Sequence, residues 1–202
     1  MRIIKVSPSG FASNSYILTE DGKNAVVIDA AQPRIADILS ENGLCCRYVL
    51  LTHGHFDHTG GCAVLQEKGA VICCGEHEKG LILSGIYSDM FGWEDVAEFS
   101  VSRTFSDGEE FTLCGIFFKA VRTSGHSAGS MCYITERNIF SGDTLFLESV
   151  GRTDLPTGSG RELVESVGKL YKMNGDFKIY CGHGDDSSLE HERKYNAFIK
   201  EK

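Results

Sequence analysis

Thr52-His53-Gly54-His55-Phe56-Asp57-His58 holds four residues able to bind a metal, His53, His55, Asp57 and His58, within six positions. The segment follows the apolar run Tyr48-Val49-Leu50-Leu51, which reads as a strand. A chain leaving a strand for a turn sends successive side chains in different directions, so one H-x-H-x-D-H can face two cations at once. Three more candidates each follow a glycine: His126 in Ser124-Gly125-His126-Ser127, Asp143 in Ser141-Gly142-Asp143-Thr144, and His183 in Cys181-Gly182-His183-Gly184. Glycine suits a tight turn where backbone approaches a metal centre. Five of the seven histidines fall in these clusters, which argues against isolated structural histidines.

Imidazole and carboxylate donors with no thiolate suit zinc, and also iron or manganese, in the divalent state. Seven donors exceed the three or four protein ligands of one catalytic zinc, so two divalent ions are expected. Asp143 is the natural bridge, because a carboxylate has two oxygens to share. Two ions ~3.5–4 Å apart can polarise a carbonyl oxygen while lowering the pKa of a bridging water to ~7. The expected chemistry is hydrolysis by a hydroxide facing an electrophile, with Asp57 and Asp143 as the candidate catalytic carboxylates.

The elements that must position these groups follow from local signals. Asn14 to Thr19 and Asn24 to Asp29 are β-rich runs joined by Glu20-Asp21-Gly22-Lys23, a hairpin turn. Pro33 opens a helix with Ile35, Ile38 and Leu39 on one face, stopped by Asn42-Gly43. Cys62 to Lys68 reads as a short helix ended by Gly69, and Val71 to Cys74 as the next strand. Residues 75–99 lose any period. Ile86, Tyr87, Met90, Phe91 and Trp93 there form either a loop or short-helix lid over a pocket or a flap packed into the core. Phe111 to Cys114 pairs with Ile116 to Val121 across Gly115, and Met131 to Thr135 with Asn138 to Ser141 across Glu136-Arg137.

Ser159-Gly160-Arg161-Glu162 matches a capping box before the stripe Leu163, Val164, Val167, Leu170 and Tyr171. Phe177 to Cys181 is the last expected strand. Ser187-Ser188 then caps a final helix expected to turn Tyr195, Phe198 and Ile199 inward. Two β-rich halves with outer helices make an α/β protein, an αββα sandwich of two mixed sheets. No linker divides them, so residues 1–202 are expected to form one domain.

A net charge of −8 leaves no basic footprint for nucleic acid or an acidic membrane. No apolar run approaches the ~20 residues of a membrane helix. Met1 to Pro8 reads as a strand rather than an export signal, so a cytoplasmic protein is expected. The eight cysteines then read as reduced, with one thiol of Cys45-Cys46 and of Cys73-Cys74 in the core and the other outside. Cys181, close to His183, is the thiol nearest the chemistry. His77 and His191 read as surface residues, and Glu109-Glu110 and Asp185-Asp186 as solvated turns.

The order His53-Gly54-His55-Phe56-Asp57-His58, His126, Asp143, His183 resembles the metallo-β-lactamase superfamily. The likeness runs from Asn14-Ser15-Tyr16 and Val27-Ile28-Asp29 to Gly182-His183-Gly184. Gly142-Asp143-Thr144-Leu145-Phe146 and Gly151-Arg152-Thr153-Asp154 are similar to the short glyoxalase II-like hydrolases (hydroxyacylglutathione hydrolases). The resemblance implies that His53, His55 and His126 hold one metal, Asp57, His58 and His183 the other, and that Asp143 bridges. It implies a thioesterase taking a small S-acyl thiol such as S-lactoylglutathione to D-lactate and glutathione.

True β-lactamases of the superfamily lack such an aspartate bridge. With 19 residues after His183, the chain is expected to lack the C-terminal helical domain by which longer relatives grip glutathione. The lysine and tyrosine of that grip have no match, and Ser124 stands where proline is usual. Arg152 takes the lysine's place as the candidate for a substrate carboxylate; the alternative is a surface pair with Asp154. A second functional reading is a persulfide dioxygenase-like enzyme with one iron on His53, His126 and Asp143. A non-catalytic metal-binding module is the third.

Overall fold

Asp21 makes the first turn. Its Oδ1 accepts from the N–H groups of Lys23 and Asn24 at 2.8 and 2.7 Å, and Gly22 adopts a φ of 68°. Strand β2 (Ser15–Thr19) therefore folds back on β3 (Asn24–Ile28) in the expected hairpin. With β1 (Arg2–Val6), β4 (Cys45–Leu50), β5 (Val71–Gly75) and β6 (Arg103–Phe105) they form a sheet ordered β1-β2-β3-β4-β5-β6. Helix α1 (Ile35–Glu41) connects β3 to its parallel neighbour β4, ending at Asn42 with Gly43 at φ 67°. Helices α2 (Phe56–Thr59) and α3 (Cys62–Glu67) connect β4 to β5. The computed structural model describes residues 1–7, 10–86 and 97–198.

The second sheet is ordered β14-β13-β10-β9-β8-β7. Its strands are β7 (Glu110–Leu113), β8 (Ile116–Arg122), β9 (Met131–Thr135), β10 (Asn138–Gly142), β13 (Lys178–Cys181) and β14 (Ser187–Ser188). A small hairpin, β11 (Leu145–Phe146) with β12 (Ser149–Val150), follows β10. Helix α5 (Gly160–Tyr171) covers the outer face; the Ser159 hydroxyl accepts from Glu162 N–H at 3.3 Å, as the capping box predicts. Helix α6 (Leu189–Tyr195) begins the same way at Ser188.

Three apolar cores lie between these four layers. Ile17, Val27, Val49, Ile35 and Leu65 fill the space between the first sheet and its helices. Leu18, Val26, Leu50, Phe118, Tyr133 and Phe140 fill the space between the sheets. Ile139, Ile179, Val167, Leu170 and Leu189 fill the third, beneath α5 and α6. Alternate residues of the central strands thus enter different cores, as the two-residue strand period requires. Burying each large apolar side chain contributes roughly 1.5–3 kcal/mol. The αββα sandwich is the expected one.

Several local expectations are corrected. Cys73 and Cys74 are both buried, on opposite faces, because their strand is covered on both sides; Cys45-Cys46 splits as expected. All eight thiols are free. Val164 is exposed and Ser166 takes the buried place on α5, its hydroxyl donating to Ser124 O at 2.7 Å. Tyr195 and Phe198 face outward, since Leu189 and Glu192 are the buried positions of α6.

Asp186 is an ion-pair hub for Lys5 and Lys178 rather than a solvated turn residue. Glu109 accepts from Ser106 N–H, closing its own turn. Residues 76–83, expected to be irregular, form helix α4 (Glu76–Leu83), which Gly80 and the lack of an apolar stripe disguise. Tyr87, Met90, Phe91, Trp93 and Ile199 lie outside the described residues.

Candidate metal centre

The candidate ligands converge because they leave the same end of neighbouring parallel strands. β3 and β4 run parallel, so Asp29 after the first meets Thr52-His53 after the second, and Asp29 N–H donates to Leu50 O at 3.0 Å. β10 and β13 also run parallel. Gly142 and Cys181 are register partners, and Gly182 N–H donates to Gly142 O at 2.9 Å, which sets Asp143 beside His183. His126 arrives on the turn between β8 and β9. Glycine is required at two of these places: a Cβ on Gly182 would overlap Asp143 Oδ1, and one on Gly151 would overlap the Asp143 carbonyl oxygen.

Three sets of ligand atoms lie within 4.8 Å of one another: His53, His55 and His126; Asp57, His58 and His183; and His53, His58 and Asp143. All seven sequence candidates are therefore together. His55 Nδ1 faces His126 Nε2 at 2.9 Å, and His183 Nε2 faces Asp57 Oδ2 at 3.0 Å. The Asp143 carboxylate stands between the two triads. Its Oδ1 is 3.3 Å from His58 Nε2, and its Oδ2 is 3.5 Å from both His126 Nε2 and His183 Nε2. Asp143 groups with His53 and His58, and its Oδ2 also reaches His126, the second histidine expected for a single iron.

Hydrogen bonds orient the rings. Thr52 Oγ1 donates to Asp29 Oδ2 at 2.7 Å, so His53 Nδ1 donates to Thr52 Oγ1 at 3.1 Å. His58 Nδ1 donates to Asp29 Oδ2 at 2.9 Å and His126 Nδ1 to Arg152 O at 2.8 Å. Each bond holds the proton on Nδ1 and turns the Nε2 lone pair inward. His53 Nε2, His58 Nε2 and Asp143 Oδ1 are buried with no hydrogen-bond partner among the described residues. Buried polar atoms are seldom left so, and inward nitrogen and oxygen lone pairs are what a divalent cation requires. The donor set fits.

The two triads differ electrostatically. Burial pushes His53 well below the ordinary imidazole range and His55 down to about 3, with neighbouring imidazoles adding to both. Burial would lower His58 too, but Asp57, Asp143 and Asp29 together raise it well above that range. His183 is also raised, its Asp57 hydrogen bond and Asp143 outweighing burial. Against burial, the charge of His58 holds Asp57 and Asp143 below the usual carboxylate range. His53 and His55 are neutral imidazoles, whereas Asp57, His58 and His183 are charge-paired.

Arg152 and Asp154 make a two-point ion pair at 2.7 and 2.8 Å, both exposed, as the surface alternative has it. Cys181 is buried, its thiol donating to His183 O and Asp185 O, and burial lifts it to about 11. It is an inert thiol. His77 and His191 lie at the surface, beside Glu76 and Glu148. Sequence reasoning missed two buried acids that act on this centre. Asp29, a non-glycine residue at φ 53°, is one. Glu78, which accepts from Gly54 N–H at 2.7 Å, is the other. Neither sits in a spacing that announces a ligand.

Among the described residues no helix is long and apolar enough to cross a membrane. The chain is 32% identical to hydroxyacylglutathione hydrolase GloC of Haemophilus influenzae, over the full length of both. Among solved structures it is similar to the BLEG-1 B3 metallo-beta-lactamase, at 27% identity and a TM-score of 0.89 over 98% of this chain and 99% of that one. It is also similar to TTHA1623 in a di-iron-bound form, at 28% identity and a TM-score of 0.84 over 97% and 100%. These likenesses and the donor set support a metal-dependent hydrolase that takes divalent cations. The family model for the Metallo-beta-lactamase superfamily matches residues 8–183, and the chain belongs to that superfamily.

Proposed function

We propose that the protein is a binuclear metal-dependent thioesterase acting on a small S-acyl thiol, with S-lactoylglutathione as the first substrate to test. The observation that carries the reading is Asp143, whose two oxygens lie 3.3–3.5 Å from ligand nitrogens of both triads. His53, His55 and His126 hold one cation, Asp57, His58 and His183 the other, and Asp143 faces both. Residues 1–202 act as one domain, because neither half of the sandwich supplies a complete triad pair. The free thiols support a reducing, cytoplasmic setting.

The two cations, when bound, supply a water of pKa ~7 and polarise the substrate carbonyl. The chain's own part is orientation. Asp29, Thr52 and the Arg152 carbonyl accept the Nδ1 protons of His58, His53 and His126, so these rings do not turn and each keeps Nε2 aimed into the site. His183 is the most open ligand, its side chain 39% exposed, while that of His58 is fully buried, so substrate approaches over His183. Phe146, 6.1 Å from the His183 ring, is the apolar wall beside that approach. A thiolate leaving group, with a thiol pKa of ~8.5, departs without a strong general acid. Arg152 offers its planar fork to a substrate carboxylate in exchange for Asp154.

Metal content and S-lactoylglutathione turnover, measured on the same purified sample, test the proposal. Two divalent ions per chain are expected, with turnover lost on chelation and restored on reloading. Turnover that persists after complete chelation would falsify it. Hydrolysis of other esters or of a β-lactam, with no action on S-lactoylglutathione, moves the assignment elsewhere in the superfamily.

A second reading has one specific support. His53, His58 and Asp143 form a two-histidine, one-carboxylate set of the kind that holds a single oxygen-activating iron. One iron per chain with oxygen uptake on glutathione persulfide is the result that favours it.

A further inference from the structure

Glu78 is fully buried at the start of α4, and the reading above gives it no work. Its Oε1 accepts from Gly54 N–H at 2.7 Å, and its Oε2 accepts from Ser127 Oγ at 2.9 Å. Gly54 lies between His53 and His55, and Ser127 directly follows His126. One carboxylate therefore ties together the two loops that carry all three residues of the imidazole triad. The fit is close on both sides. A Cβ on Gly129 would overlap the Glu78 carboxylate and backbone, and one on Gly75 would come 2.6 Å from Met131 Cγ and 2.9 Å from Gly129 O. Ser127 is held in turn by Ser130, with Oγ to Oγ at 2.7 Å and Ser127 N–H donating to Ser130 Oγ at 3.1 Å.

A buried carboxylate is costly unless its oxygens are hydrogen-bonded, and an apolar side chain of similar volume would pack the same space with less loss. Its presence at this junction points to orientation rather than packing. The other triad has supports besides Glu78: Asp29 holds His58, and the paired strands β10 and β13 carry His183 beside the intervening Asp143. We infer that Glu78 is a positioning residue for one cation only, the one held by His53, His55 and His126, and acts by locking the Gly54 and Ser127 loops together. The inference rests on the two-triad reading proposed above.

Titration of the metal-free full chain with Zn(II) by calorimetry, and with Co(II) by visible absorption, separates the two equivalents. Wild type is expected to bind two. Glu78→Ala is expected to bind one of them roughly 10–100-fold more weakly, the size of effect known for residues that orient metal ligands, and to leave the other unchanged. In a His58→Ala background, which disables the second triad, Glu78→Ala is expected to weaken the equivalent that remains. Glu78→Gln is expected to recover most of the affinity. Its amide oxygen still accepts from Gly54 and its NH₂ donates to Ser127, whose own proton turns to Ser130. The Co(II) spectrum of the weakened equivalent should change in Glu78→Ala and return in Glu78→Gln.

Two unaltered equivalents in Glu78→Ala overturn the inference, and so does equal weakening of both in step with a fallen melting temperature. If Glu78→Ala does not fold, Ser127→Ala breaks half of the clamp. A smaller loss confined to the same equivalent supports the inference, and no loss overturns it. Wild type binding fewer than two equivalents sinks the two-triad reading, and the inference falls with it; wild type binding two with Glu78 indifferent sinks the inference alone.

Discussion

Asp29 Oδ2 accepts the Nδ1 proton of His58 at 2.9 Å and, with its other contacts, ties the end of β3 to the turn that follows β4. One carboxylate fixes both the tautomer of His58 and the position of Thr52, which in turn orients His53. Asp29→Ala leaves His58 Nδ1 and Thr52 N–H unpaired, each costing about 1–3 kcal/mol of stability. It is also expected to weaken metal binding by roughly 10–100-fold. Metal titration and a thermal melt check this; a variant that loads like wild type contradicts the role.

Gly151 lies against the Asp143 carbonyl, so Gly151→Ala must push backbone at the centre of the site. Overpacking of this kind costs about 1–3 kcal/mol. The variant should unfold at lower denaturant and hold less metal than wild type. Full metal content at reduced stability would mean that Asp143 escapes the push.

Stability of the metal-free chain should peak near pH 6.5, the ordinary imidazole value. His53 and His55 have depressed values, so their contribution is present above 6.5 and is lost as pH falls, for His55 down to about 3. His58 and His183 are raised, so their contribution is complete below 6.5 and is lost as pH rises through their folded values. Asp57 and Asp143, held low, add a further loss below the ordinary carboxylate value. Melting curves across pH on chelated protein test this, and a flat profile between pH 5 and 8 is the contrary result. Metal loading should remove the alkaline decline, since cation replaces proton on His58 and His183.

The Arg152 side chain is at the surface, whereas its carbonyl supports His126. Arg152→Ala should therefore keep its metal and change stability by no more than about 0.5 kcal/mol. With a carboxylate-bearing thioester, KM should rise about tenfold at unchanged kcat. Asp154→Ala should do the reverse, because it frees the guanidinium. If both variants match wild type on an acidic substrate, the arginine belongs to the surface pair alone.

Much of the site was legible because its information is local. H-x-H-x-D-H after an apolar strand, and a glycine before each remaining ligand, are patterns of a few residues, and the structure brings all seven together. The hairpin at Asp21, the stop at Gly43 and the cap at Ser159 were legible for the same reason. Tyr195 and Phe198 were misread because a helix stripe shows which residues share a face, not which face meets a core. Helix α4 was missed because its buried residue is a glutamate, which hydropathy counts as outward.

Residue types and spacing by themselves determined the candidate donor set, the αββα plan and the class of chemistry. Only the tertiary structure decided how those donors are divided and held. Asp143 takes its place between the triads because β10 pairs with β13, thirty-nine positions apart from Gly142 to Cys181. Asp29 reaches Thr52 across 23 positions, and Glu78 reaches Ser127 across 49. A hydrogen bond between distant segments depends on which strands pair and which layers pack, and that is settled by the whole buried core rather than by any short stretch of chain.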